Sequence, residues 1–228
     1  MKRAFWVVGS LLIVFGFWRV SKLLHARSMD WQQTGFYAEE NKRLQDDDPR
    51  RVVFFGDSIT YRWGTTSFFA GKPYIDRGIP EQTTSQMLLR FRQDVIDLHP
   101  KAVVILAGTN DVIGFNNPFA TKIAESNIET MTELARAHGI RVILCSLPPA
   151  NHRNRIRNLN FTGAVRDLNL WLRNYSSSQG LTYIDYYSAM DDGTGKMKDG
   201  ISLDGVHPSE SGYRIMEPLT QAAIDLKQ

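Results

Sequence analysis

The chain has 228 residues, 43% of them apolar and 22% charged, enough for one sizeable core and too short to require two. A mean hydropathy of −0.29 argues against a polytopic membrane protein. Of 27 basic and 24 acidic side chains, five basic and no acidic ones lie in residues 1–27, so the formal charge of +3 belongs to the leader and the body offers no basic face for nucleic acid.

That leader reads as a membrane-directed segment. Met1-Lys2-Arg3 is a short basic lead-in, and residues 4–18 form an unbroken apolar or small-residue run ending at Arg19. As a helix the run covers about 22 Å of a roughly 30 Å hydrocarbon core. Extension to Leu24, with Arg19 and Lys22 reaching for the interface, makes it long enough to span. The best small-residue cleavage site is Leu24-His25-Ala26, and no cysteine follows that could accept a lipid. Residues 1–27 are therefore read as a signal peptide or a retained anchor contacting the membrane through residues 4–24. The domain is expected to be exported, periplasmic or extracellular.

Residues 28–50 read as a helical connector. Trp31, Tyr37, Ala38 and Leu44 recur at roughly helical spacing before Asp46-Asp47-Asp48-Pro49 stops the pattern. The Asp triplet reads as a solvated helix end and not as a cation site. From residue 51 onward, short apolar runs at 52–55, 74–76, 102–107, 142–146 and 182–184 alternate with amphipathic stretches at 85–98, 120–138, 161–177 and 209–226. This alternation predicts an α/β fold, a parallel sheet covered by helices on both faces, in one domain over 51–228. The single cysteine, Cys145, sits in an apolar run and reads as a small buried thiol. No C-x-x-C or H-E-x-x-H spacing points to a metal site.

In open parallel sheets ligands bind beyond the carboxyl ends of the strands, and four polar motifs fall there. The first strand breaks into Gly56-Asp57-Ser58-Ile59-Thr60. A serine on such a turn exposes its hydroxyl and sets its amide at a helix start, as a nucleophile that also donates to an oxyanion requires. A plain helix cap by Asp57 or Ser58 reads equally well on this segment alone. The second strand ends in Asp76-Arg77-Gly78, where Gly78 is either a turn glycine or an amide donor. The third ends in Gly108-Thr109-Asn110-Asp111, where Asn110 is either a turn residue or a neutral side-chain donor. The fourth motif, Asp204-Gly205-Val206-His207-Pro208, decides between these readings. A carboxylate three residues before a histidine can accept its Nδ1–H and leave Nε2 free to take a serine proton. The other histidines fit poorly: His25 is in the leader, His99 and His138 sit at helix ends, and His152 has Asn151, Arg153, Asn154 and Arg155 around it and no carboxylate.

These four blocks, in this order, resemble the SGNH (GDSL-like) hydrolase family over essentially everything after residue 50. The resemblance implies a flavodoxin-like three-layer α/β/α sandwich with a central parallel sheet of about five strands. It implies Ser58 as nucleophile, His207 as base and Asp204 as its orienter. The Ser58 amide, the Gly78 amide and the Asn110 side chain would form the oxyanion hole. One departure is noticeable: Ile79-Pro80-Glu81 follows Gly78, where many relatives carry a further small residue or glycine. The implied chemistry is acyl transfer to water without metal or organic cofactor. The substrate is expected to be a small-molecule, lipid or sugar ester. A lysophospholipase-like or short-acyl esterase leads, a carbohydrate O-acetyl esterase is the alternative, and a silent membrane-tethered binder would have no need of the full catalytic set. Trp63, Phe68 and Phe69 follow the nucleophile and read either as substrate-pocket lining or, for at least two of them, as core packing, with Trp63 the candidate substrate contact. The loop carrying His152, Arg153, Arg155 and Arg157 is the other candidate, its arginines either holding an anionic group or forming a solvated basic surface.

Overall fold

The computed structural model describes residues 33–44, 48–114, 118–151 and 161–226. A short helix α1 (Ala38–Arg43) precedes strand β1 (Val52–Gly56), helix α2 (Ser58–Trp63), strand β2 (Tyr74–Gly78) and helix α3 (Thr84–Asp94). Then come β3 (Ala102–Leu106), α4 (Thr109–Gly114), α5 (Pro118–Ala137) and β4 (Arg141–Cys145). The chain closes with α6 (Thr162–Gln179), β5 (Thr182–Ile184), α7 (Tyr186–Met190) and α8 (Glu210–Asp225).

The five strands form one all-parallel sheet in the order β2-β1-β3-β4-β5. The two central strands explain the continuous apolar runs of the sequence: every residue of β1 and β3 is buried, as strands covered on both faces must be. Helices α3, α5 and α6 pack together on one side. On the other side α2 meets α8, where the Trp63 and Tyr213 rings stack at 5.7 Å. The result is the expected three-layer α/β/α sandwich. Strand order reverses between β1 and β3, which places the crevice for ligands at the carboxyl ends of these two strands.

Gly56 is needed at the end of β1. A Cβ there would fall 2.1 Å from Thr60 Oγ1 and 2.6 Å from the Leu106 carbonyl, so only glycine lets α2 fold back so closely. Cys145 is buried in β4, and burial pushes its thiol up to about 12. No helix of the described residues is long and apolar enough to cross a membrane. The leader (residues 1–27) lies outside them.

Candidate active site

Asp57 caps α2. Its carboxylate accepts from the Ile59 amide at 2.8 Å, which starts the helix at Ser58 and turns the serine out of the sheet edge. Ser58 thus occupies the first helical position, where an amide has no partner within the helix. Asp57 is itself fully buried. Burial pushes its carboxyl up to about 6 against the pull of the Ile59 amide.

The loop before α8 supplies the other half. Ser58 Oγ lies 2.9 Å from His207 Nε2. His207 Nδ1 lies 2.9 Å from Asp204 Oδ2 and 3.1 Å from Oδ1. The backbone amides of Val206 and His207 donate to Asp204 Oδ1 at 3.1 and 2.9 Å, which fixes the carboxylate in the same short turn. Partial burial works against ionisation of Asp204, but the hydrogen bonds from the His207 amide and ring outweigh it and hold its carboxyl below the usual range. The structure therefore brings Ser58, His207 and Asp204 into one hydrogen-bonded chain. Among the described residues, no three His, Cys, Asp or Glu side chains converge as metal ligands would.

A cavity of about 100 Å³ opens at this chain, lined by Ser58, Asn110, His207, Arg62, Pro80 and Glu81 among others. Asn110, in the first turn of α4, donates through Nδ2 to the Gln82 carbonyl at 3.0 Å. Its second contact, to Asp57 Oδ2 at 3.5 Å, is long, so one amide proton is only weakly engaged. The adjoining Asp111 accepts from the Thr84 amide and hydroxyl at 2.9 and 2.7 Å, tying the start of α3 to α4.

Two sequence expectations need correction. The Gly78 amide donates to Asp76 Oδ1 at 2.8 Å, and Gly78 does not line the cavity. Its lack of a side chain serves packing instead: a Cβ would sit 2.1 Å from the Tyr61 nitrogen and 2.8 Å from the Asp57 carbonyl. Trp63 is not a pocket residue either. Only 1% exposed, it is enclosed by Phe54, Phe68, Tyr186 and Tyr213, because its face of α2 points at α8 and the sheet. Phe68 is likewise buried. His152, Arg153, Arg155 and Arg157 lie outside the described residues.

Sequence reasoning missed Glu81. It lines the cavity with a left-handed backbone, φ 67°, a conformation normally left to glycine. Among the described residues its amide has no hydrogen-bond partner. The one available signal was its place three residues after Gly78, in the stretch that departs from the family pattern.

A family model described as GDSL-like Lipase/Acylhydrolase matches residues 54–215. Among solved structures, a GDSL-like lipase from Bacteroides thetaiotaomicron VPI-5482 is 39% identical, covering 86% of this chain and 98% of its own, with a TM-score of 0.82. A second chain, from Bacteroides fragilis NCTC 9343, superposes equally well at 39% identity, 86% and 97% coverage and a TM-score of 0.82. Among curated proteins, the uncharacterized lipoprotein YqeF of Bacillus subtilis (strain 168) is 37% identical over 117 residues, 43% of this chain and 48% of that protein. The match thus spans about half the length of that relative.

Proposed function

The chain belongs to the GDSL-like lipase/acylhydrolase family, and within it we propose that the protein hydrolyses esters of small acyl groups through a covalent intermediate on Ser58. The observation that carries this reading is the hydrogen-bonded sequence Ser58–His207–Asp204 opening into a cavity of about 100 Å³. Ligand pockets for larger molecules run to several hundred Å³. A cavity this small suits an acetyl or similar group and disfavours the long acyl chain of a lysophospholipid.

In the proposed reaction Ser58 Oγ attacks the ester carbonyl while His207 Nε2 takes its proton. Asp204 holds Nδ1–H and stabilises the imidazolium that forms. The oxyanion is met by the Ser58 amide, the Asn110 side chain and, in place of Gly78, the Glu81 amide. Collapse expels the alkoxide, which His207 protonates. A water then gives its proton to His207 and its oxygen to the acyl carbon, and Ser58 regains its proton as the acid leaves.

A second reading, a carbohydrate O-acetyl esterase, is favoured by one observation. Beside the cavity, and sharing Arg62 with it, lies a cleft of about 540 Å³ lined by polar and charged side chains including Thr65, Thr66, Ser67, Arg214 and Glu217. Such a surface suits a hydroxylated alcohol. The apolar leader supports export, and the relative named as a lipoprotein is in keeping with a membrane-attached location. With Cys145 as the only cysteine and buried, attachment here would run through residues 4–24.

The test is a series of p-nitrophenyl esters from acetate to long acyl chains, run with wild type and Ser58→Ala. The reading predicts highest kcat/KM at two to four carbons and no such activity in the variant. A maximum at long chains would overturn the small-acyl assignment, and equal rates for the two proteins would overturn the enzyme mechanism. Acetate release from acetylated polysaccharides would select the second reading.

A further inference from the structure

Residues 33–44, read from sequence as part of a connector, are built into the back of the site. The Tyr37 hydroxyl donates to the Gly78 carbonyl at 2.5 Å, 41 residues away, and the side chain is buried. Its ring carries the Arg77 guanidinium, centred 4.4 Å from the ring centroid. Arg77 is wholly buried, and donates from Nε to Asn41 Oδ1 at 2.9 Å and from Nη1 to Glu40 at 2.8 Å. Asn41 in turn donates through Nδ2 to Asp94 Oδ1 at 2.7 Å and to the Gln93 carbonyl at 3.1 Å.

From Asp94 the network continues towards the chemistry. Arg90 pairs with Asp94 at 3.0 Å, both side chains buried. Its Nε donates to Gln82 Oε1 at 2.5 Å and its Nη2 to the Gly56 carbonyl at 3.1 Å, directly before the nucleophile turn. The Gln82 carbonyl is the group that receives the Asn110 amide. The turn 79–82 is thus clamped twice, by Tyr37 through Gly78 and by Arg90 through Gln82, with the left-handed Glu81 between the clamps. Buried polar networks of this kind hold one geometry tightly, because each member left unpaired is costly in a low-dielectric interior.

From this geometry we infer that Tyr37 and Asn41 are positioning residues of the catalytic unit, holding the 79–82 turn so that the Glu81 amide and the Asn110 side chain face the developing oxyanion. The inference rests on the proposed esterase mechanism. It makes the segment joining the leader to the domain part of the enzyme.

Tyr37→Phe tests it with the least disturbance, since the ring and its contact with Arg77 remain. With p-nitrophenyl acetate the expected result is a fall in kcat of about tenfold at unchanged KM. The fraction of enzyme whose Ser58 is titrated by a fluorophosphonate should stay the same. Combining Tyr37→Phe with Asn110→Ala should cost less than the product of the two single losses, because both act on one oxyanion site. Asn41→Ala should show the same kcat loss in the fraction that remains titratable. An unchanged kcat in Tyr37→Phe, a loss fully accounted for by fewer titratable sites, or full multiplicativity with Asn110→Ala would overturn the inference. Activity surviving in Ser58→Ala would instead overturn the underlying mechanism, so the two failures are distinguishable.

Discussion

Ser58 Oγ and His207 Nε2 stand 2.9 Å apart although 149 residues separate them. The helices that follow each residue are locked together: Tyr213 of α8 donates its hydroxyl to the Ile59 carbonyl of α2 at 2.8 Å, and its ring stacks on Trp63. The nucleophile and its base are therefore set by the packing of two helices and not by a flexible loop alone.

If these residues act as one unit, their losses will not add. Ser58→Ala and His207→Ala should each lower kcat on the order of 10⁴–10⁶-fold, and the double variant should be scarcely worse than either. Asp204→Ala should cost less than these two. Steady-state kinetics on a short p-nitrophenyl ester checks all three, and multiplying losses would contradict a shared machine.

The oxyanion assignment separates side chain from backbone. Asn110→Ala should reduce kcat on the order of 10²–10³-fold. Glu81→Gly keeps the amide and relieves the left-handed backbone, so kcat should hold within a few-fold while stability rises by up to about 1 kcal/mol. A large kcat loss in Glu81→Gly would move the role from the Glu81 amide to its side chain.

Gly78 and Trp63 should behave as structural residues. A Cβ at position 78 meets backbone atoms of α2, so Gly78→Ala should destabilise by on the order of 3 kcal/mol or more. Trp63→Ala should cost about 3–5 kcal/mol as a core truncation. Urea unfolding gives both figures. Folded fractions of either variant should keep KM, whereas a raised KM in Trp63→Ala would restore it to the substrate pocket.

Asp76 links stability to pH. Burial pushes its carboxyl from 3.8 up to about 7, with Glu40 adding to the rise and the Gly78 amide, Arg77 and Arg90 opposing it. A raised carboxyl favours the protonated folded state, so this contribution is present below about pH 4 and is lost as pH rises through 7. Asp76→Asn keeps an acceptor for the Gly78 amide and cannot ionise. Wild type should therefore lose stability relative to the variant between pH 5 and pH 8, as read from urea midpoints. An equal offset at both pH values would contradict the shift.

The sheet was legible because its strands are short apolar runs separated by turn residues, and no observed strand end lies more than two residues from the expected one. Helices α4 and α7, of five or six residues, were not, since two turns or fewer carry no measurable 3.6 period; the start of α2 could be read only from its capping turn at Asp57-Ser58. Ser58, Asn110, Asp204 and His207 could be read because their chemistry is in their side chains. Gly78 and Glu81 could not, because nothing in a residue's type tells which backbone amide is already bonded. Trp63 beside the nucleophile could have faced either the pocket or the core, and only the helix face decided it. Tyr37 looked like one apolar position in a connector, and its hydroxyl partner is 41 residues away.

The most direct test of the central claim is covalent. After incubation with a fluorophosphonate, intact-mass spectrometry should show one adduct per chain, and peptide mapping should place it on Ser58, with hydrolytic activity lost in proportion. Ser58→Ala should take up no label and hydrolyse no ester. A label on another residue, or hydrolysis persisting in fully labelled protein, would contradict the account.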